Sequence, residues 1–293
     1  MKTKLTFYLI CSSFLCVHAA SQERVSDAGI SLFTGTINYQ GDLKPNSFTF
    51  QHSNPSFSIV LHKPLNRWLT WQTGFSRGKI EGADRYNRDY LKLRNLSFYT
   101  NITELYSGFA FNVLDISTKR FTPYIYGGVG VFHFNPWTYD QAGNKVRLQP
   151  LSTEGQGLPG YPGQKKYKLT QPELVFGGGI KFALNDCVAL GIELSQRKTF
   201  TDYLDDVSTH YIDQDKLLAA KGPKAVELAY RGNQLPGGAA YPPDGEQRGT
   251  ASEMDWYYFF GLTIEIKFDC IKNLFSGITD HNLTSYHQKC PRF

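Results

Sequence analysis

The stretch Met254-Asp255-Trp256-Tyr257-Tyr258-Phe259-Phe260-Gly261-Leu262-Thr263-Ile264-Glu265-Ile266-Lys267-Phe268 decides the fold. Trp256, Tyr258, Phe260, Leu262, Ile264, Ile266 and Phe268 fall on one side of a period-two strand, and Gly261, Thr263, Glu265 and Lys267 fall on the other. An unbroken apolar stripe opposite small and charged residues predicts a strand with lipid outside and a wet lumen inside. A soluble barrel has the inverse arrangement, with its apolar side chains within.

The same alternation recurs upstream. Val188, Leu190, Ile192 and Leu194 oppose Ala189, Gly191, Glu193 and Ser195, while Leu174, Phe176, Ile180 and Phe182 oppose Glu173, Gly177, Gly179 and Lys181. Leu105, Phe109 and Phe111 oppose Glu104, Tyr106 and Gly108; Leu69, Trp71 and Phe75 oppose Thr70, Gln72 and Gly74; Phe57, Ile59 and Leu61 oppose Ser56, Ser58 and His62. Phe121 to Phe134 and Gly29 to Tyr39 have strand composition but no legible faces. Eight strands result, most near the roughly 9 to 11 residues a tilted strand needs to cross a bilayer.

Connections alternate in length. Long ones run from Gln40 to Pro55, Arg77 to Lys92, Pro136 to Gln171 and Thr199 to Glu253; short ones run from Lys63 to Arg67, Asp115 to Arg120 and Leu184 to Asp186. Outer-membrane barrels have short periplasmic turns and long outside loops. The fold expected is therefore an all-β, transmembrane antiparallel barrel of about eight strands, with extracellular loops at 136–171 and 199–253 and both termini periplasmic. Within the last loop, Leu217 to Tyr230 has helix-forming composition, and Gly232 to Gly249 is rich in Gly and Pro.

Three segments follow: a signal peptide over 1–19, the barrel over 20–268, and a periplasmic tail over 269–293. Lys2 and Lys4 precede the apolar run Leu5 to Val17, and Val17-His18-Ala19 has the character of a cleavage site. Without the leader, 29 basic residues face 26 acidic ones, a formal charge of +3 instead of +5. That balance does not argue for nucleic acid.

No motif argues for an enzyme, a cofactor or a small-molecule substrate. The runs Gly127-Gly128-Val129-Gly130 and Gly177-Gly178-Gly179 sit inside strands, where no helix follows to cradle a phosphate, and point to close backbone approach. His52, His62, His133, His210, His281 and His287 form no short metal-ligand spacing. In Thr199-Phe200-Thr201-Asp202-Tyr203-Leu204-Asp205-Asp206 the three carboxylates miss the calcium-loop spacing, so a hydrogen-bonded loop base is expected instead. After cleavage three cysteines remain. Cys270 and Cys290 share the tail and make one candidate disulfide, with Cys187 as a competing partner.

Several longer motifs resemble the PorG-type outer-membrane proteins of Bacteroidetes. They are Arg94-Asn95-Leu96-Ser97-Phe98, Arg120-Phe121-Thr122-Pro123-Tyr124, Gly128 to Pro136, Thr153 to Tyr161, Arg197 to Ser208, Gln247-Arg248-Gly249 before Asp255-Trp256-Tyr257, and Cys290-Pro291-Arg292-Phe293. The resemblance implies a non-enzymatic component of the type IX secretion system. It also implies protein partners: a periplasmic ring of PorK and PorN type, and the outer-membrane translocon. The short turns and the tail, including Cys290, Pro291, Arg292 and Phe293, are the candidate periplasmic contacts. The other expectation carried forward is a barrel acting alone as adhesin or channel.

Overall fold

The computed structural model describes residues 28–45, 49, 52–115 and 119–272. The expected leader over 1–19 and the terminal Cys290-Pro291-Arg292-Phe293 lie outside these residues. In chain order the strands are β1 (Gly29–Gln40), β2 (Asn54–Pro64), β3 (Leu69–Ala83), β4 (Ser97–Asn112), β5 (Phe121–His133), β6 (Trp137–Tyr139), β7 (Lys145–Arg147), β8 (Thr170–Ala183), β9 (Val188–Thr199) and β10 (Trp256–Lys267). Eight of them form an up-and-down antiparallel meander, and β1 pairs with β10 to close it into a barrel. The remaining two, β6 and β7, form a small hairpin joined to β4 where Tyr99 faces Trp137.

The outward face is an apolar belt. Leu32, Phe57, Ile59, Leu61, Trp71, Phe75, Leu105, Phe109, Ile125, Val129, Leu174, Ile180, Ile192, Leu262 and Ile264 are all exposed, and they occur on each of the eight strands. A ring of bare aliphatic and aromatic side chains fits a lipid bilayer and no aqueous solvent. The chain is thus a transmembrane β-barrel. Where strands come close, glycine is required: a Cβ on Gly128 would sit 2.3 Å from the Ser107 carbonyl oxygen, opposite Gly108.

Inside the belt the lumen is filled. Arg197 donates to Glu104 through Nε at 2.9 Å and Nη2 at 2.6 Å, with Glu104 also accepting from the Tyr257 hydroxyl at 2.8 Å. Tyr126 donates to Glu193 at 2.7 Å, and Lys181 pairs with Glu265 at 2.7 Å beside His62. The cavity left among them measures about 30 Å³, room for one or two waters.

Polarity reverses towards the long-loop end, where the interior becomes apolar. Ile37, Tyr39, Leu43, Ile80, Phe98, Phe132, Phe134, Leu204 and Phe259 pack there into one cluster. This explains β1, whose faces the pattern left unread: Phe33, Ile37 and Tyr39 point inward into that cluster, and Thr34 lies on the exposed side.

Three expectations need correction. Residues 77–83 are strand, not loop, because Ile80 is fully buried in the apolar cluster and the pairing of β3 with β4 continues to Ala83↔Ser97. The last strand ends at Lys267, and helical backbone begins at Phe268. The disulfide joins Cys187 to Cys270, not Cys270 to Cys290. Register dictates this: Val188 faces Ile266, and the Lys267 amide donates to the Cys187 carbonyl at 3.1 Å, so both cysteines lie at the same barrel end. Their sequence separation of 83 corresponds to about 4.5 kcal/mol of chain entropy removed from the unfolded state. Replacing both by serine is expected to lower the unfolding temperature while the barrel still assembles, read by heat-dependent gel migration.

Candidate functional site

The long loops fold together over the barrel mouth into a cap. Its two longest helices are α1 (Gln214–Lys221) and α2 (Pro223–Ala229), in the segment whose composition favours helix. Asp213 caps α1 by accepting from the Lys216 amide at 2.9 Å, and Pro223 opens α2 where its missing N–H costs nothing.

Glu154 is the centre of the cap and is fully buried. Its carboxylate accepts from Arg248 Nη1 at 2.8 Å, from the amides of Ser208 at 2.8 Å and Thr209 at 3.0 Å, from the Thr209 hydroxyl at 2.8 Å and from the Tyr203 hydroxyl at 3.2 Å. Arg248, also buried, extends to the carbonyls of Ala229 and Asp206. A second buried pair, Arg94 with Asp84 at 2.7 Å, reaches the Arg248 carbonyl and so ties the β3–β4 loop to the last loop. Gly249 follows because a Cβ there would lie 2.5 Å from Asp42 Oδ2.

The Thr199 to Asp206 segment is the cap's floor. Thr199 donates to the Asp255 carbonyl at 2.6 Å, the Asp255 amide donates to the Thr201 carbonyl at 3.1 Å, and the Leu204 amide donates to Asp255 Oδ2 at 2.8 Å. Asp206 takes a left-handed φ of 67° and accepts from Thr153 and Tyr167, each at 2.6 Å. Tyr203 stacks on Tyr167 with centroids 4.6 Å apart, whereas Phe200 is exposed on the outside. Asp202 is buried. Among the described residues no group of three or more His, Cys, Asp or Glu is arranged to hold a metal ion.

These carboxyls sit in an unusual electrostatic setting. Burial, with Asp42 next, pushes Asp205 up to about 8; burial, with Asp205 next, pushes Asp202 up to about 9; burial also raises Asp206 to about 6 against the pull of Arg248. Asp255 is raised by burial and then by Asp205. The Tyr39 hydroxyl lies 2.7 Å from Asp205 and 2.9 Å from Asp255, yet it has one hydrogen to give. Both contacts are hydrogen bonds only when one carboxyl is itself protonated.

Sequence reasoning brought the Thr199 to Asp206 residues forward but gave no role to Glu154, Arg248, Arg94 or Asp84. Glu154 and Arg248 are 94 positions apart, and no local pattern connects them. What the cap can do chemically is hold shape. It closes the mouth above a lumen that is already filled.

Residues 4–218 match the family model described as Domain of unknown function (DUF6089). Solved structures similar to the chain include Neisserial surface protein A (TM-score 0.42, 8% identity, covering 82% of this chain and 96% of that one). Another is Ail, the attachment invasion locus protein of Yersinia pestis (TM-score 0.39, 7% identity, 82% and 97%). A major outer membrane protein from Thermus thermophilus is a third (TM-score 0.39, 13% identity, 82% and 98%). No curated protein sequence matches the chain.

Proposed function

The chain belongs to the DUF6089 family, and we propose that it serves as a non-enzymatic outer-membrane anchor of the type IX secretion system, fastening a periplasmic PorK/PorN-type ring to the membrane. The observation that carries the reading is the sealed interior. The cavity among the lumen side chains, about 30 Å³, is too small to pass a solute, and a cap held by buried ion pairs lies above it. A barrel that transports nothing through itself is suited to holding something in place. The motif resemblance supplies what it holds.

In this reading the long loops face outward and the short turns, with the segment after β10, face the periplasm. The Cys187–Cys270 bridge then stiffens the periplasmic end at the last turn. Photocrosslinkers at Lys119 and Asp186, in two of those turns, are expected to capture the ring proteins in intact cells. Capture of none, with secretion unchanged in a deletion strain, sinks the proposal.

The stand-alone channel has the filled lumen against it. Purified protein in planar bilayers is expected to show no unitary conductance above background, and steady single-channel currents would restore that alternative.

A further inference from the structure

One sector of the outer wall carries cations in register just beyond the apolar belt. Phe75, Leu105 and Val131 face one another across β3, β4 and β5 and form the belt's edge there. Two residues further towards the long-loop end, the next outward row reads Arg77, Thr103, His133 and Thr170 across β3, β4, β5 and β8. Lys79 and Asn101 follow in the row after that. The β6–β7 hairpin adds Lys145 and Arg147 on the same face as Tyr99, because Trp137 pairs with both Tyr99 and Arg147 and Tyr139 pairs with Lys145. Arg77, His133, Lys145, Arg147 and Lys168 are exposed.

Aromatic rings give this sector a fixed frame. Tyr99 stacks on Trp137 at 4.6 Å, Lys145 Nζ lies 3.9 Å over the Trp137 ring and Lys79 Nζ lies 5.2 Å over Tyr99. Glu81 is the one carboxylate among the described residues paired with these cations, to Lys79 at 3.2 Å. Across the barrel the corresponding ends of β9, β10 and β1 offer Lys198, Trp256 and Gln40 in register. Those three strand ends carry one cation, Lys198, so the positive charge is denser on the β3 to β5 side. Two residues of strand advance about 7 Å, so Arg77 and His133 stand at headgroup depth beside the belt, and Lys79, Arg147 and Lys145 follow in successive rows further out.

We propose that this sector binds a phosphate-bearing glycolipid of the outer leaflet, with Arg77 contacting a phosphate beside the belt, Lys145 a second phosphate further out, and Tyr99 and Tyr139 against the sugar. Charge complementarity selects an anion, and the position on the membrane-facing wall selects a lipid. An aromatic ring beside a cation suits an amphiphile better than a free ion. The proposal rests on the long-loop end facing outward.

The test uses the full chain purified in detergent and exchanged into nanodiscs doped with diphosphorylated lipid A or its dephosphorylated form. The phosphorylated lipid is expected to be retained about tenfold more strongly, and the double variant Arg77→Gln/Lys145→Gln to lose that preference while Lys198→Gln keeps it. Equal retention of the two lipids, or an unaffected double variant that migrates as a folded barrel, overturns the site. Displacement by millimolar inorganic phosphate overturns the lipid in favour of a free anion. Labelling of Lys145 by a membrane-impermeant reagent on whole cells tests the orientation separately: no labelling in cells, with binding intact in nanodiscs, fails the orientation alone.

Discussion

Glu154→Gln is expected to release the loop cap while the barrel beneath it stays folded. The substitution keeps the side chain's shape and one acceptor oxygen but removes the charge that faces Arg248, itself buried. Removing one partner of a buried pair costs about 3 to 5 kcal/mol, because the other is left as an uncompensated charge in a poor dielectric. Here the loss extends beyond the pair, since the Ser208 and Thr209 amides and the Tyr203 and Thr209 hydroxyls converge on the same carboxylate. A penalty of that size multiplies the open fraction of the cap by at least about a hundred. Limited proteolysis between residues 232 and 255 should accelerate accordingly. The wall of the barrel lies outside this network, with its own pair Arg197–Glu104, so heat-dependent gel migration should be unchanged. Unaltered proteolysis would show that Glu154 does not hold the cap.

Different forces wrote the wall and the cap into the sequence. The wall was legible because a lipid-facing strand has period two and a single solvent outside, so Leu262, Ile264 and their counterparts announce themselves without reference to any other strand. Loop lengths added the order of ends. β1 resisted reading because its inward residues Ile37 and Tyr39 meet the cap's apolar cluster, where the rule reverses. The run from Arg77 to Ala83 resisted for the same reason: Ile80 looks isolated until β4 and the cap are in place beside it. The ion pairs of the cap were not legible at all. Glu154 and Arg248 come from separate loops, and Arg94 and Asp84, though in one loop, show no spacing that marks them as a buried pair. The cysteines show the same limit. Sharing a tail made Cys270 and Cys290 look like partners, but the register of β9 on β10 brings Cys187 to Cys270.

The cap should also loosen as pH rises, and the sign follows from the direction of the carboxyl shifts. In an opened cap Asp202 and Asp205 are solvated and titrate near about 4, whereas in the closed cap they titrate near about 9 and about 8, driven up first by burial and then by neighbouring carboxylates. Between those limits the closed state holds protons that the open state has released. Stability is therefore fully present below about pH 4 and falls as pH rises through the interval up to the closed-state values. The groups facing this pair are Tyr39, Asp42, Asp255, Glu154 and Arg94, and the guanidinium of Arg94 stays charged throughout and partly offsets the loss. Amide exchange of residues 202–209, corrected for its intrinsic pH dependence, should show protection declining from pH 5 to pH 9. Asp202→Asn/Asp205→Asn should flatten that decline, because neutral amides keep the hydrogen-bonded shape without releasing a proton. Protection that rises with pH, or a decline unchanged in the double variant, would place the proton uptake elsewhere. The barrel wall supplies an internal control: its ladder amides below the cap should keep their protection across the same range.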